Sequence, residues 1–197
     1  MANLEPLIQS IPVAPLTLEG CRTLADQVNN YLVSFRHESP TNVGQADSLQ
    51  GYCADSYLLE CECPRFGSGE GKGVLKESVR GCDLFIMVDV SNYSLTYRVN
   101  GYENHMSPDN HYQDLKRIIS AADGKARRIN VIMPFLYEGR QHKRSKRESL
   151  DCALMLQELV DMGVSNILTF DAHDPRVSNS IPLHGFDSFM PTYQFLK

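Results

Sequence analysis

Apolar residues that recur every three or four positions predict three amphipathic helices. The first pattern covers about residues 17–35. The second follows the dipeptide Ser107-Pro108, which is typical of a helix N-cap with proline at the first helical position. The third covers about residues 149–162, and Gly163 is the residue expected to end it.

Short apolar segments between these helices predict strands at residues 57–63, 84–90, 129–133 and 166–170. The middle two are continuous apolar runs, which are typical of a parallel sheet covered on both faces. The alternation of strands and helices from residue 84 to 170 predicts a doubly wound, mostly parallel α/β fold with helices on both faces. Two polar stretches, at about residues 37–52 and 91–105, are predicted to be surface loops.

The composition is that of an ordinary globular domain: 197 residues, 42% of them hydrophobic and 22% charged. The sequence has no apolar run of about 18 residues and no signal-peptide pattern near its start, so a cytoplasmic protein without a membrane partner is expected. The six cysteines are scattered and are interpreted as reduced thiols. Cys61 and Cys63, with Cys53 nearby, fall short of a four-ligand zinc site and are more simply small core side chains.

Positive charge is concentrated in one part of an acidic chain. The net charge is −5, yet residues 125–148 carry eight basic side chains against two acidic ones. Such a block suits a focused anion site for a phosphate or nucleotide, although a solvated charged loop remains the alternative. Nucleic-acid binding is the weakest interpretation, because the whole chain is acidic and no aromatic residues interrupt residues 140–147. The basic residues of the block are Lys125, Arg127, Arg128, Arg140, Lys143, Arg144, Lys146 and Arg147.

Ligands of open α/β sheets bind beyond the carboxyl ends of the strands. The segment that follows the predicted strand 129–133 is the centre of the basic block. The segment that follows strand 166–170 is Asp171-Ala172-His173-Asp174, which could hold Mg²⁺ directly or through water. A lone histidine after a strand is nevertheless more often part of the hydrogen-bonded structure than a ligand.

The glycine-rich segment 65–73 superficially suggests a phosphate-binding loop. The residue after Lys72 is Gly73, where that loop needs serine or threonine. Residues 74–79 also suggest a strand, whereas a helix should follow. The segment is therefore predicted to be a hairpin that carries Phe66 and Glu70 to a ligand or to a subunit interface.

Four motifs in this order resemble the N-terminal half of ribose-phosphate pyrophosphokinase, over about residues 17–191. They are Arg65-Phe66-x-x-Gly69-Glu70, the segment 77–86, Tyr137-x-Gly139-Arg140-Gln141 and Thr169-x-Asp171-x-His173. That family transfers the β,γ-pyrophosphoryl group of ATP to ribose 5-phosphate, giving phosphoribosyl pyrophosphate and AMP. The resemblance implies an enzyme of nucleotide biosynthesis that uses Mg²⁺ and forms homo-oligomers.

The resemblance also implies roles for four residues in ATP binding. Phe66 would lie against the adenine ring and Glu70 near its edge, supplied by the hairpin across a subunit interface. Arg140 would bind the phosphates through its planar guanidinium, and Gln141 would recognise adenine or ribose.

His173 would contribute to Mg²⁺·ATP binding, and Asp171 would orient it or the water shell of the metal. No protein nucleophile is implied, because positioning and charge neutralisation carry most of the catalysis in this chemistry. By length, residues 1–197 are expected to form a single N-terminal domain. The half that binds ribose 5-phosphate is expected to be absent, so the chain alone is expected to be inactive.

Three positions depart from the usual motifs of the family. Ser68 and His142 stand where aspartate is usual, and Asp174 stands where a small residue is usual. These departures keep open a non-catalytic regulatory relative that binds nucleotide or a partner synthetase. The presence of Arg140, Gln141 and His173 favours the enzyme.

Overall fold

A five-stranded parallel sheet forms the centre of the protein. The computed structural model describes residues 13–38 and 54–196. Its main sheet has the strand order β1-β4-β7-β8-β9, which follows the order of these strands in the chain. The strands are β1 Val13–Thr17, β4 Asp83–Met87, β7 Arg128–Ile132, β8 Val164–Phe170 and β9 Gly185–Phe189. Because all five are parallel, their carboxyl ends lie at one edge of the sheet.

Two small antiparallel pairs lie outside the main sheet. One consists of β2 Cys61–Glu62 and β3 Val74–Leu75, and the other of β5 Thr96–Val99 and β6 Tyr102–His105. The helices are α1 Arg22–Glu38, α2 Pro108–Ala122, α3 Asp151–Asp161 and the short α4 Thr192–Leu196, with 3₁₀ turns at Glu19–Cys21 and Pro175–Ser180.

The local signals for helix ends are confirmed. The Ser107 hydroxyl accepts a hydrogen bond from the backbone N–H of Asn110 and so caps α2, which begins at Pro108. Gly163 follows α3 with a φ of +91°, a conformation that costs glycine little. The first helix starts later than its apolar period suggests, because β1 and a 3₁₀ turn occupy residues 13–21.

Helices cover both faces of the sheet, as predicted. On β4, Leu84 and Ile86 belong to the main core, which also includes Leu115 of α2 and Leu156 of α3. Met87 belongs to a second cluster with Ala25 of α1. Because adjacent strand residues point to opposite faces, these clusters lie on opposite sides of the sheet. The expected mostly parallel α/β fold is thus confirmed.

Strand β1 was absent from the sequence-based expectation. It contains Pro15, which cannot donate a ladder hydrogen bond and so weakens any strand prediction. Proline is tolerated here because β1 is the edge strand of the main sheet and pairs with β4 alone. Beyond it, the strand expected at 57–63 is reduced to β2 and an isolated bridge between Leu16 and Leu59. The strand expected at 74–79 is likewise reduced to Val74–Leu75.

The loop expected at residues 91–105 is wrong, because much of this stretch forms the β5–β6 hairpin. Its turn is Asn100-Gly101, with φ values of +50° and +83°. Positive φ at both central residues is the type I′ geometry that Asn-Gly favours. Of the other expected loop, residues 37 and 38 belong to α1, and residues 39–52 lie outside the described ranges. No helix within the described ranges is long and apolar enough to cross a membrane.

Candidate functional site

The segments after β7 and β8 meet in a cleft at the carboxyl edge of the sheet. The cleft has a volume of about 330 Å³. It brings together three residues that the sequence singled out, because β7 and β8 are neighbours in the sheet. Its lining residues are Phe135, Leu136, Gly139, Arg140, Phe170, Asp171, Ala172 and His173.

A second cleft, of about 310 Å³, shares Arg140 with the first. Gln141 lines it together with Val90 and Ser91, which follow β4. Arg140 thus lies between two clefts, and the side chains of Arg140 and Gln141 are both exposed. The structure therefore places side by side Arg140, predicted to contact phosphate, and Gln141, predicted to contact adenine or ribose.

Tyr137 anchors the loop that carries Arg140. Its hydroxyl donates a hydrogen bond of 2.6 Å to the Asp109 carboxylate on α2. Its ring stacks on Tyr112, with 4.6 Å between the ring centres. Burial and the Asp109 carboxylate raise the pKa of Tyr137, so the hydroxyl stays protonated and can donate. The neighbouring Glu138 has a φ of +56°, which turns the chain sharply just before Arg140.

The backbone of the segment after β8 is held by β9. The N–H of Asp171 donates to the Phe189 carbonyl, and the N–H of Ala172 donates to the Ser188 hydroxyl, each at 2.9 Å. Asp171 has a φ of +46°, a left-handed conformation that is strained for most side chains and that aspartate tolerates better. Asp171 and His173 are both exposed. Backbone contacts thus fix the segment while leaving both side chains free to meet a ligand.

The basic block of the sequence is divided in space. Arg127 and Arg128 lie at the amino end of β7, where both form ion pairs with Asp83. Lys125 pairs with Asp123. Among the described residues, the five basic side chains beyond the carboxyl end of β7 have no ion pair, and all are exposed. They are Arg140, Lys143, Arg144, Lys146 and Arg147. The anion site predicted from the sequence is therefore limited to these five residues and does not include the whole basic block.

The glycine-rich segment forms a hairpin, as predicted. The N–H of Phe66 donates to the Glu70 carbonyl at 2.7 Å, and Gly69 turns the chain with a φ of +93°. Phe66 is 56% exposed, and Ser68 donates a hydrogen bond of 2.7 Å to the Glu70 carboxylate. Within the described part of the chain, neither Phe66 nor Glu70 lines either cleft.

A buried ion pair, which sequence reasoning missed, fixes the base of this hairpin. Both terminal nitrogens of Arg65 donate to the Asp114 carboxylate on α2, at 2.6 and 2.7 Å. The two side chains are each 7% exposed. The hydrogen bond and charge of Asp114 raise the pKa of Arg65, which therefore stays charged. No spacing rule links residues 65 and 114, so only the tertiary structure reveals this anchor.

The side chains at the cleft fit a metal ion that arrives bound to a nucleotide better than a metal ion that the protein holds permanently. In the described ranges, no group of three or more His, Cys, Asp or Glu side chains could hold a metal ion. Mg²⁺ commonly takes only one or two protein carboxylates and completes its shell with water and substrate phosphates. Asp171 supplies one such carboxylate at the cleft, and the His173 imidazole lies in the same lining.

The cysteines within the described residues are free, as expected. The Cys61 and Cys63 thiols donate to the carbonyls of Thr17 and Asp114, at 3.3 and 3.9 Å. Burial raises their pKa values to about 11 and about 12, so both stay protonated near neutral pH. Cys53 lies outside the described residues.

Sequence reasoning also missed the aromatic walls of the first cleft. Phe135 is 50% exposed and Phe170 is 45% exposed, and both line it. Their positions in the sequence could have revealed them. Each phenylalanine occurs at or just after the end of a strand, where an apolar side chain is no longer needed for the core and is free to line a cleft.

Comparisons with known proteins identify what the chain is similar to. The family model of the N-terminal domain of ribose phosphate pyrophosphokinase matches residues 14–163. Ribose-phosphate pyrophosphokinases of Corynebacterium ammoniagenes and Bacillus cereus are each 30% identical to it over 122 residues, which is 61% of this chain. That match covers 34% of each relative, so the matched part of this chain corresponds to about a third of their length.

The fold is also similar to a solved structure. The crystal structure of phosphoribosylpyrophosphate synthetase from Mycobacterium smegmatis superposes with a TM-score of 0.68. The superposition covers 93% of this chain and 50% of that one, at 21% sequence identity.

Proposed function

Because the chain belongs to the ribose-phosphate pyrophosphokinase family through its N-terminal domain, we propose that it is the ATP-side domain of an enzyme that makes phosphoribosyl pyrophosphate. That enzyme would transfer pyrophosphate from Mg²⁺·ATP to ribose 5-phosphate. The observation that carries the proposal is the cleft where Arg140, Asp171 and His173 converge. Ribose 5-phosphate is assigned to a part of the enzyme beyond these residues, since the match covers only 34% of a relative such as the Corynebacterium ammoniagenes enzyme.

Arg140 is assigned to the ATP phosphates. Its side chain is exposed between the two clefts and has no carboxylate partner among the described residues. A guanidinium can donate two parallel hydrogen bonds to a phosphate, and it stays charged at any physiological pH. The four other unpaired basic side chains of its loop would add a favourable potential for a polyanion.

Gln141, Phe66 and Glu70 are assigned to the nucleoside. Gln141 lines the second cleft and can both donate and accept hydrogen bonds. Phe66 and Glu70 lie outside both clefts within the described part of the chain, so their role requires a second copy. The exposed ring of Phe66, on a hairpin anchored by Arg65, suits such an interface. The proposal therefore includes a homo-oligomer.

Asp171 and His173 are assigned to Mg²⁺·ATP. Bound Mg²⁺ would neutralise charge on the transferred pyrophosphoryl group. Asp171 would hold its water shell or orient His173, and the backbone contacts with β9 would keep the segment in place. No residue of this chain needs to act as a nucleophile.

A second candidate is a regulatory relative that binds nucleotide or a partner synthetase without turnover. It is favoured by Ser68 and His142, which replace carboxylates of the resembled motifs. Ser68 donates a hydrogen bond of 2.7 Å to Oε2 of Glu70, so one oxygen of that carboxylate is engaged within the hairpin. The two candidates predict different results for the longest natural form of the protein. The enzyme would make phosphoribosyl pyrophosphate, whereas the regulatory relative would bind nucleotide without turnover.

Binding and turnover together test the proposal. The purified chain should bind Mg²⁺·ATP in titration calorimetry but form no phosphoribosyl pyrophosphate from ATP, Mg²⁺ and ribose 5-phosphate. Absence of Mg²⁺·ATP binding would overturn the ATP-side assignment. Robust turnover by the chain alone would overturn the proposal that ribose 5-phosphate binds to a part of the enzyme beyond these residues. Nucleotide binding without turnover in the longest natural form would establish the regulatory relative.

A further inference from the structure

Two side chains beside the cleft, His142 and Asp174, are largely shielded from solvent, although neither has a role in the proposed function. The side chain of His142 is 12% exposed and that of Asp174 is 11% exposed. Their neighbours Gln141, Lys143 and His173 are exposed. Burying polar groups is unfavourable unless they find partners, so this pair calls for a structural reason.

His142 and Asp174 contact each other across two different segments. The Nε2 atom of His142 lies 3.4 Å from Oδ2 of Asp174. This contact joins the segment after β7, which carries Arg140, to the segment after β8, which carries His173. The other ring nitrogen of His142, Nδ1, is buried and has no hydrogen-bond partner among the described residues. Within the described part of the chain, the contact with Asp174 is therefore the polar contact of this ring.

The ring of His142 in turn packs against His173. The two ring centres are 5.2 Å apart, and the planes meet at 61°, an edge-to-face arrangement. A displacement of His142 would remove the packing contact on one side of the His173 ring. The largely buried side chain of His142 thus lies between the Asp174 carboxylate and the exposed candidate ligand His173.

Asp174 is a rigid point in the structure. Its carboxylate accepts a hydrogen bond of 2.9 Å from the backbone N–H of Arg176 and so caps the 3₁₀ turn Pro175–Ser180. It also accepts from the Arg176 guanidinium, at 2.6 Å, although that side chain is 78% exposed. Removing the guanidinium leaves the backbone cap in place.

Charge explains why the two residues occur together. A carboxylate at position 142 would face the Asp174 carboxylate at this short distance and repel it. A histidine at position 142 carries no negative charge and places Nε2, an atom that can bear a proton, 3.4 Å from the same oxygen. Two of the three positions at which the chain departs from the resembled motifs are therefore complementary in space.

We infer that His142 and Asp174 are positioning residues that hold the His173 imidazole ready for metal-bound nucleotide. The inference rests on the proposed function for the identity of the ligand, but the positioning can be measured without one. Hydrogen-bonded groups that orient a metal-binding imidazole typically change affinity by about 10- to 100-fold when removed. His142 contacts His173 by ring packing instead, so an effect at the lower end of that range is expected.

The first experiment observes the two rings in the free chain by NMR. A through-space NOE between ring protons of His142 and His173 is expected in the wild-type chain. Asp174→Ala should abolish it, because the ring of His142 loses its anchor. Arg176→Ala is the matched control and should retain it, because the backbone cap of Asp174 remains. A retained NOE in folded Asp174→Ala, or its absence from the wild type, would overturn the inference.

The second experiment measures Mg²⁺·ATP affinity in a double-mutant cycle of His142→Ala and His173→Ala. Each single variant should bind about tenfold more weakly. The double variant should bind no more weakly than His173→Ala alone, because His142 acts through His173. Multiplied losses in the double variant, or wild-type affinity in His142→Ala, would refute positioning through His173.

Charge complementarity gives a rescue test of the same inference. His142→Asp should weaken Mg²⁺·ATP binding further than His142→Ala, and adding Asp174→Asn to His142→Asp should recover part of the loss. A chain that gives the expected NOE pattern but binds no Mg²⁺·ATP would refute the proposed function while upholding the positioning of His173. A chain that binds Mg²⁺·ATP but loses no affinity on these substitutions would uphold the proposed function and refute the positioning of His173.

Discussion

The two ends of strand β7 carry the same kind of residue and use it in opposite ways. At the amino end, Arg128 is directly opposite Asp83 in the parallel register of β4 and β7. Its guanidinium donates two hydrogen bonds to that carboxylate, at 3.0 and 2.7 Å. At the carboxyl end, Arg140 has no such partner among the described residues and lies between two clefts.

The difference teaches that local charge density does not by itself locate an anion site. Positive side chains at the amino end are neutralised by the protein, so they stabilise the contact between two strands. Those at the carboxyl end remain available, and the nearby Glu148 is engaged with Ser145 at 3.1 Å. An unpaired cation next to a cleft attracts a ligand anion, whereas a paired cation has little potential left to offer.

The largest expected contrast is in nucleotide affinity. Arg140→Ala should weaken Mg²⁺·ATP binding by about 1.5 to 3 kcal/mol, the range for a hydrogen bond to a charged group. Arg140→Lys should recover only part of the loss, because an ammonium cannot present the two-pronged contact. Titration calorimetry measures both.

Arg128→Ala is the matched control for this test, because it removes the same side chain from the other end of the strand. It should leave nucleotide affinity unchanged. Equal losses for Arg128→Ala and Arg140→Ala would mean that the effect is one of general charge, and the distinction between the two ends would fail.

The next effect concerns His173 and separates binding from folding. His173 is exposed at the carboxyl edge, so His173→Ala should leave the melting temperature of the free chain nearly unchanged. The extra stabilisation by Mg²⁺·ATP should shrink by about 1.4 kcal/mol, if affinity falls about tenfold. Thermal unfolding with and without nucleotide checks this. A large drop in the melting temperature of the free chain, with the nucleotide shift intact, would make His173 a structural residue.

A smaller and opposite effect is expected at the amino end. Asp83→Ala removes the carboxylate that pairs with both Arg127 and Arg128. The melting temperature should fall by about 2 to 4 °C, as expected for loss of a modest ion pair in a domain of this size. Mg²⁺·ATP affinity should stay the same in calorimetry. A weaker affinity with an unchanged melting temperature would reverse the roles assigned to the two ends.

The smallest effect on the isolated chain is expected for Phe66. Its ring is exposed on the hairpin, so Phe66→Ala should not change the melting temperature. Sedimentation should show self-association of the wild-type chain at high micromolar concentration and less of it in the variant. Phe135→Ala, which also removes an exposed ring, is the control and should associate like the wild type. A purely monomeric wild-type chain would contradict the proposed oligomer.

Local signals predicted the parts of the fold that are stabilised locally. The Ser107 cap and the end of α3 before Gly163 are both where the sequence indicates, because each depends on the chemistry of a few adjacent residues. The β5–β6 hairpin was predictable as well from Asn100-Gly101, but its polar strands conceal the alternation that normally identifies a hairpin. Strand β1 was not predictable from its own residues, because its pairing with β4 depends on partners about 70 residues away.

By itself, the sequence determined the α/β architecture and the membership of Arg140, Asp171 and His173 in one group, because parallel strands deliver their following segments to one edge. The predicted strand 129–133 already separates the basic residues before it from those after it, but only the tertiary structure decided that Arg127 and Arg128 pair with Asp83. It also decided that Arg65 is anchored by Asp114 and that His142 meets Asp174. Each of these is a contact between polar or charged side chains far apart in the chain, and no periodicity encodes such a contact. Its energy depends on distance and burial, which exist only once the chain has folded.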